Sequence, residues 1–269
     1  MLPALLTMGL LLLLAACFSA FMSPQLKYHS TAYKLKAKLF FWMGDIRLLG
    51  CFPWVTWDSS EYKIGMRDVR IGGGACRPGY IGLSRHDGFL SNLGIPGAFK
   101  HAWIVIDNND CVEATSDGVL KKDLMYPLLA DRAIILAPRN MDFADLRGAI
   151  RRAKAIVGCE YDANFNFDLE ESEEHIGPKV KYDRNLTAGA FHPAFSCTEV
   201  VGFSYYLARE KLRLFRSTYA GREAIMADDY LKMEFDVAWA SPTVTAEWAR
   251  RAGLHEEGVK KIEKYWREK

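Results

Sequence analysis

A chain of 269 residues, half of them apolar, is long enough to bury one large core and still carry an attached segment. Its 35 Lys and Arg against 33 Asp and Glu leave a formal charge of +2, with no basic stripe interleaved with aromatics, so nucleic acid is not an expected partner. GxxxxGK[ST], H-E-x-x-H and C-x-x-C patterns do not occur, so nucleotide, zinc-protease and thioredoxin chemistry are not expected, and neither a cofactor nor a metal is implied.

In chain order, the first feature is an uncharged stretch from Met1 to Leu26 with continuous leucine from Leu10 to Leu14. About 20 such residues in a helix span the hydrocarbon core of a bilayer. Residues 1–26 are therefore read as a membrane segment, either a cleaved leader or an anchor. Leu14-Ala15-Ala16-Cys17 resembles the lipobox of bacterial lipoproteins, which would tether the protein outside the cytoplasmic membrane, although no basic residue precedes the leucines. An uncleaved anchor, with Lys27, Lys34, Lys36 and Lys38 on its carboxyl side, would instead hold the domain in the cytoplasm. The extracytoplasmic lipoprotein is the preferred reading of the two. Residues 27–74 form an amphipathic aromatic and basic connector. Lys34, Lys36 and Lys38 lead into Leu39-Phe40-Phe41-Trp42-Met43, a pattern that suits either an interfacial helix or a helix packed on a neighbouring domain. Gly72-Gly73-Gly74 reads as a flexible connector.

Lys100 to Asp107 reads as a strand, Asn108-Asn109-Asp110 as a turn, and Cys111 to Thr115 as the returning strand. That hairpin sets Glu113 beside His101 on one face of a sheet. Ala133 to Ala137 is a buried strand ended by Pro138. Asp142 caps a helix whose apolar side is Phe143, Leu146, Ile150, Ala153 and Val157, with the basic residues at 147, 151, 152 and 154 directed to solvent or the helix end. An acidic run, Glu170, Glu171, Glu173 and Glu174, opens a charged insertion that is either a solvated loop or a lid.

Phe195-Ser196-Cys197-Thr198-Glu199-Val200-Val201 places a cysteine where an irregular stretch gives way to an apolar helix. A free thiol ionises at about 8.5, and the first turn of a helix favours the thiolate through its unpaired N–H groups. An isolated cysteine in such a place is ordinarily core. His101 and Glu113 change that reading, because a nucleophilic thiol needs a base, and the base needs a group to orient it.

Several segments, in order, resemble the permuted NlpC/P60 (papain-like) cysteine hydrolases of the YiiX/YaeF/YebB-like group, with the lecithin:retinol acyltransferase-like proteins as more distant relatives. They are Pro78 to Ser84, His101 to Ile106, Val112-Glu113-Ala114 with Gly118-Val119, Gly158 to Phe165, and Ser196 to Val201. Tyr80 stands where the family usually has Asp, and Ser196 where it usually has an aromatic residue. The resemblance implies an α+β, circularly permuted papain-like fold, an antiparallel sheet packed against helices. It implies a catalytic domain over 75–215, interrupted by an insertion over 169–194, with a helical extension over 216–269. It further implies a hydrolase with Cys197 as nucleophile, His101 as base and Glu113 as orienting group. The expected substrate is a peptide or small amide, with a lipid-directed acyltransferase or phospholipase as the alternative and a non-catalytic tethered binding protein as the third. His86, His175 and His192 have no partner at ligand spacing, and Cys51, Cys76, Cys111 and Cys159 are disulfide candidates in an exported protein, Cys111 and Cys159 being alternatively small core residues.

Overall fold

The computed structural model describes residues 30–48, 55–57, 62–163, 194–214, 216–219 and 222–269, together with position 9. The remainder of the expected membrane segment and nearly all of the charged insertion lie outside these residues, as do Cys17, Cys51, His175 and His192. Two compact units are present, one made of 1–60 with 87–96 and the other of 61–86 with 97–269.

In the first unit, helix α1 (Thr31–Asp45) starts at Ser30, whose hydroxyl accepts the Tyr33 N–H at 3.1 Å. Its buried positions Tyr33, Lys36, Phe40 and Met43 recur at helical spacing, while Lys34, Leu35 and Lys38 are exposed. The antiparallel strands β1 (Ile46–Leu48) and β2 (Val55–Trp57) follow. The Arg47 guanidinium donates to the Asp87 carbonyl at 2.9 Å and lies over the Phe89 ring. Among the described residues no helix is long and apolar enough to cross a membrane.

The second unit begins with helix α2 (Met66–Ala75), which contains Gly72-Gly73-Gly74. The glycine run is therefore not a flexible connector. Tertiary packing overrides its weak helix propensity. A Cβ on Gly72 would lie 3.0 Å from the Trp239 ring, so the glycine lets the helix approach that indole closely. Strands β3 (Ile81–Arg85), β4 (His101–Val105), β5 (Asp110–Thr115), β6 (Gly118–Asp123) and β7 (Arg132–Pro138) come next. They are followed by helix α3 (Phe143–Ala155) and the two-residue strands β8 (Glu160–Tyr161) and β9 (Ala194–Phe195). Helix α4 (Cys197–Ser204), a short helix α5 (Arg209–Leu212) and the hairpin β10 (Ser217–Tyr219) and β11 (Arg222–Ala224) lead into a 3-10 turn over Ala227–Leu231. Strand β12 (Phe235–Ala240) and helices α6 (Ala246–Arg251) and α7 (Glu256–Arg267) end the chain.

This is a mixed α+β architecture around a six-stranded antiparallel sheet of order β12-β7-β3-β4-β5-β6. Strand alternation gives the sheet two apolar faces. Ile81, Leu83, Ala102, Ile104, Val112 and Ile134 join the cluster that holds α3, α4, α6 and α7. Trp103, Val105, Cys111, Ala133 and Ile135 join a second cluster with Val69 of α2 and Trp239. The 216–269 segment is thus more than a helical extension, because β12 is an edge strand of the main sheet.

Helix α3 departs from its expected face. Asp142 caps it through a reciprocal capping box with Asp145, but Phe143 is exposed and Arg152 is buried. Arg152 Nε donates to the Phe203 carbonyl at 2.9 Å, and the guanidinium lies 4.1 Å from the centroid of the Phe203 ring. Hydrogen bonding and ring stacking together satisfy a buried charge that periodicity assigned to solvent.

Candidate active site

Two strands and one helix bring together three polar side chains. The β4–β5 ladder pairs Trp103 with Glu113, which puts Glu113 on the same face as His101, displaced diagonally by one pair. Long side chains span that diagonal. His101 Nε2 and Glu113 Oε2 lie 2.8 Å apart. Glu113 is buried, whereas a quarter of the His101 side chain remains open to solvent. With Nε2 on the carboxylate, Nδ1 is the ring nitrogen left for a second partner.

Cys197 lies beside the same ring, and each group shifts the pKa of the other. Trp103↔Glu113 is the last pair of the β4–β5 ladder, so Ala102 lies one step beyond it, and the Ala102 N–H donates to the Cys197 sulfur. The thiol also sits 4.0 Å from the Lys100 carbonyl, receives the Thr198 N–H, and shares a hydrogen bond with His101. Helix α4 is held there by its own start. Ser196 is the N-cap, with the Glu199 N–H donating to its hydroxyl at 3.4 Å and its own N–H donating to Glu199 Oε2 at 2.6 Å. Parallel pairing of Glu160 with Ala194 and Tyr161 with Phe195 fixes the approach to that cap.

Electrostatics separates Cys197 from the other described cysteines. Burial disfavours its thiolate, yet the His101 hydrogen bond, the imidazolium charge and the Ala102 and Thr198 N–H groups outweigh burial and bring its pKa below 9.0. Burial likewise opposes the imidazolium, but the bonds and charges of Cys197 and Glu113 prevail and raise His101 to about 10. Burial without such a partner pushes Cys76 and Cys159 up to about 12, and Cys111 further still. The thiolate–imidazolium pair is therefore the stable form between a thiol ionisation below 9.0 and an imidazolium ionisation near 10. In the folded protein at pH 7, iodoacetamide is expected to modify Cys197 at least tenfold faster than Cys76, Cys111 or Cys159. The rate should climb on the acid side of 9.0 and change again near 10, as read by peptide mass mapping across pH. Equal labelling of all four would contradict the arrangement.

The remaining sequence candidates take structural places. Glu199 is buried against Asp162. Burial first and the Asp162 charge second hold its carboxyl well above the usual range, against the Ser196 hydrogen bonds. Its role is to cap the helix of Cys197. His86 packs on the Tyr62 ring, and the described residues contain no group of three or more metal-binding side chains. Cys76, Cys111, Cys159 and Cys197 are free thiols. Lys100 was not singled out by sequence, yet burial and the Arg85 charge lower its ammonium pKa to about 8 despite the nearby Asp228. No periodicity marks that residue, because its distinction comes from neighbours remote in the chain.

No protein-family model matches the chain, and no match is found among curated proteins or solved structures.

Proposed function

We propose that the protein is a cysteine hydrolase that cleaves an amide through an acyl-enzyme, built on a circularly permuted papain-like plan. The observation that carries this reading is a thiol at a helix start beside an imidazole that lowers its pKa and that a buried carboxylate holds at 2.8 Å. The order of the residues, histidine before cysteine, accords with the permuted group named above.

In the reaction the Cys197 thiolate attacks the substrate carbonyl carbon, forming a C–S bond and an oxyanion. The Cys197 backbone N–H, first of α4, is positioned to bind that oxyanion. The imidazolium of His101 gives its proton to the leaving nitrogen as the C–N bond breaks. Water then transfers a proton to His101 and attacks the thioester, and the C–S bond breaks to release the acid. Glu113 keeps the ring oriented through both halves and stabilises it whenever it carries the proton. An alcohol in place of water turns the same sequence into acyl transfer.

The expected attachment to a membrane belongs to the same proposal. Lys34, Leu35 and Lys38 form an exposed basic and apolar strip on α1, which favours headgroup contact and keeps a lipid acyl donor as the second reading. Incubation with peptide amides, muropeptides and phospholipid vesicles, followed by acid quench and mass measurement, tests both. An acyl adduct confined to Cys197 is expected, its mass naming the acyl group. Amine release supports the amidase, and fatty-acyl adducts from vesicles support the lipid enzyme. Absence of any adduct, with Cys197 labelling no faster than the buried cysteines, would leave a non-catalytic binding protein.

A further inference from the structure

The two segments that carry the thiol and the imidazole are far apart in sequence, and a single turn from a third segment holds both. The 3-10 turn Ala227–Leu231 is buried along its whole length. It is fixed at its own start by Asp229, whose carboxylate accepts the Met226 N–H at 2.9 Å and the Ser217 hydroxyl at 2.7 Å. His255, the N-cap of α7, bonds the Asp228 carbonyl through Nε2 at 2.9 Å.

From this anchored turn, two side chains at i and i+2 reach different catalytic segments. The Asp228 carboxylate accepts the Ala98 N–H at 2.6 Å and the Phe99 N–H at 2.8 Å, immediately before the strand that begins at His101. Gly97 makes room for it with φ of +95°, and a Cβ there would lie 2.6 Å from the carboxylate. The Tyr230 hydroxyl donates to the Thr198 carbonyl at 2.6 Å, one residue after Cys197, and accepts the Gly202 N–H. The carbonyl and N–H that it meets are the i and i+4 partners of one turn of α4.

We propose that Asp228 and Tyr230 are positioning residues that set the separation of the Cys197 sulfur from the His101 ring, making thiolate formation depend on the C-terminal segment. The proposal rests on Cys197 being the nucleophile and His101 its partner. Neither Asp228 nor Tyr230 meets substrate in this scheme. They act by fixing the backbone on each side of the pair, where a shift of a fraction of an ångström weakens a charged hydrogen bond.

The test is Tyr230→Phe, which removes one hydroxyl and keeps the ring. Loss of the hydroxyl's two buried hydrogen bonds moves the Tm of a domain this size by about 4–8 °C. Alkylation of Cys197 at pH 7 should fall about threefold to fourfold, and the acid limb of its pH profile should move up by about one pH unit. In a His101→Ala background the same hydroxyl deletion should change alkylation by less than about twofold, because the partner it positions is gone. A wild-type profile for Tyr230→Phe overturns the proposal, and so does an equal slowing in both backgrounds. If Tyr230→Phe does not fold, Asp228→Asn carries the same comparison. Failure of the parent reading looks different, because there wild-type Cys197 would show no selective reactivity and no dependence on His101.

Discussion

Replacing His101 with alanine is expected to slow alkylation of Cys197 at pH 7 by about fiftyfold, the largest change that any single side chain in the site should cause. The wild-type thiol sits below 9.0 because the imidazolium outweighs burial. Without the ring, the sulfur becomes a buried thiol of the kind found at Cys76 and Cys159, which stand at about 12. Such a rise lowers the thiolate fraction at pH 7 by orders of magnitude. The more basic thiolate is intrinsically more nucleophilic, with a Brønsted slope of about 0.4–0.5, which recovers roughly half of the logarithm. The Ala102 and Thr198 N–H groups remain and moderate the loss. Glu113→Gln should give a smaller effect in the same direction, because the ring stays but loses the charge that supports its protonated form. Rates of iodoacetamide modification measured from pH 5 to 11 on the folded variants check both. An unchanged profile for His101→Ala would remove the chemical basis of the proposed hydrolase.

Gly82→Ala is expected to be the most damaging small substitution for stability. A Cβ at this position would lie 2.0 Å from Cζ2 and 2.1 Å from Cε2 of Trp103. The two residues are direct partners across β3 and β4, and the Trp103 ring is wholly buried, so it has no open space to move into. Overpacking a core typically costs about 1–3 kcal/mol, and a clash this deep belongs at or above the upper end. At about 2–4 °C per kcal/mol for a domain of this size, Tm should fall by about 10 °C. Gly148→Ala in α3 is the opposite case. A Cβ there meets nothing within 4 Å, and a helix interior gains from the exchange, so a rise in stability of about 0.5–1 kcal/mol is expected. Thermal unfolding of the two variants side by side separates the steric effect from the backbone one. Equal behaviour would mean that the Trp103 ring does not occupy the space over Gly82.

These effects bear on activity as well as on stability. Trp103 is two residues after His101 on the same face of β4, and Ser84, the cross-strand partner of His101, lies two residues after Gly82. Displacing the ring would disturb the register on which the His101–Glu113 bond depends. Cys197 alkylation in Gly82→Ala is therefore expected to lose its His101-dependent part before the protein unfolds globally.

Much of the scaffold around the site was legible because its signals are local. The hairpin from His101 to Thr115 is written as alternating apolar residues around a turn, and alternation alone places Glu113 on the face of His101. The cap at Asp142, the strand through Ala133 to Ala137 and the helix that begins at Cys197 are likewise short-range patterns. The exceptions share one cause. Gly72 to Gly74 read as a connector but lies in α2, because only the distant Trp239 explains a helix that tolerates glycine. Arg152 read as solvated but is buried on Phe203, which is 51 residues away. β12 is a short, mostly apolar segment that carries no strand signal of its own, because an edge strand needs its neighbour β7 to define it.

The sequence by itself determined which atoms are available for chemistry and the local geometry of each: a histidine opening a strand, a glutamate one diagonal away, a cysteine behind a Ser cap. Tertiary structure alone decided that the β4–β5 ladder stops one pair short, which gives the Ala102 N–H to sulfur. It also decided that a turn some 30 residues beyond Cys197 ties the segments of His101 and Cys197 together. The physical reason is range. Backbone propensity and side-chain periodicity act over one or two turns, whereas desolvation, ionic pairing and close packing depend on whichever residues the folded chain brings into contact.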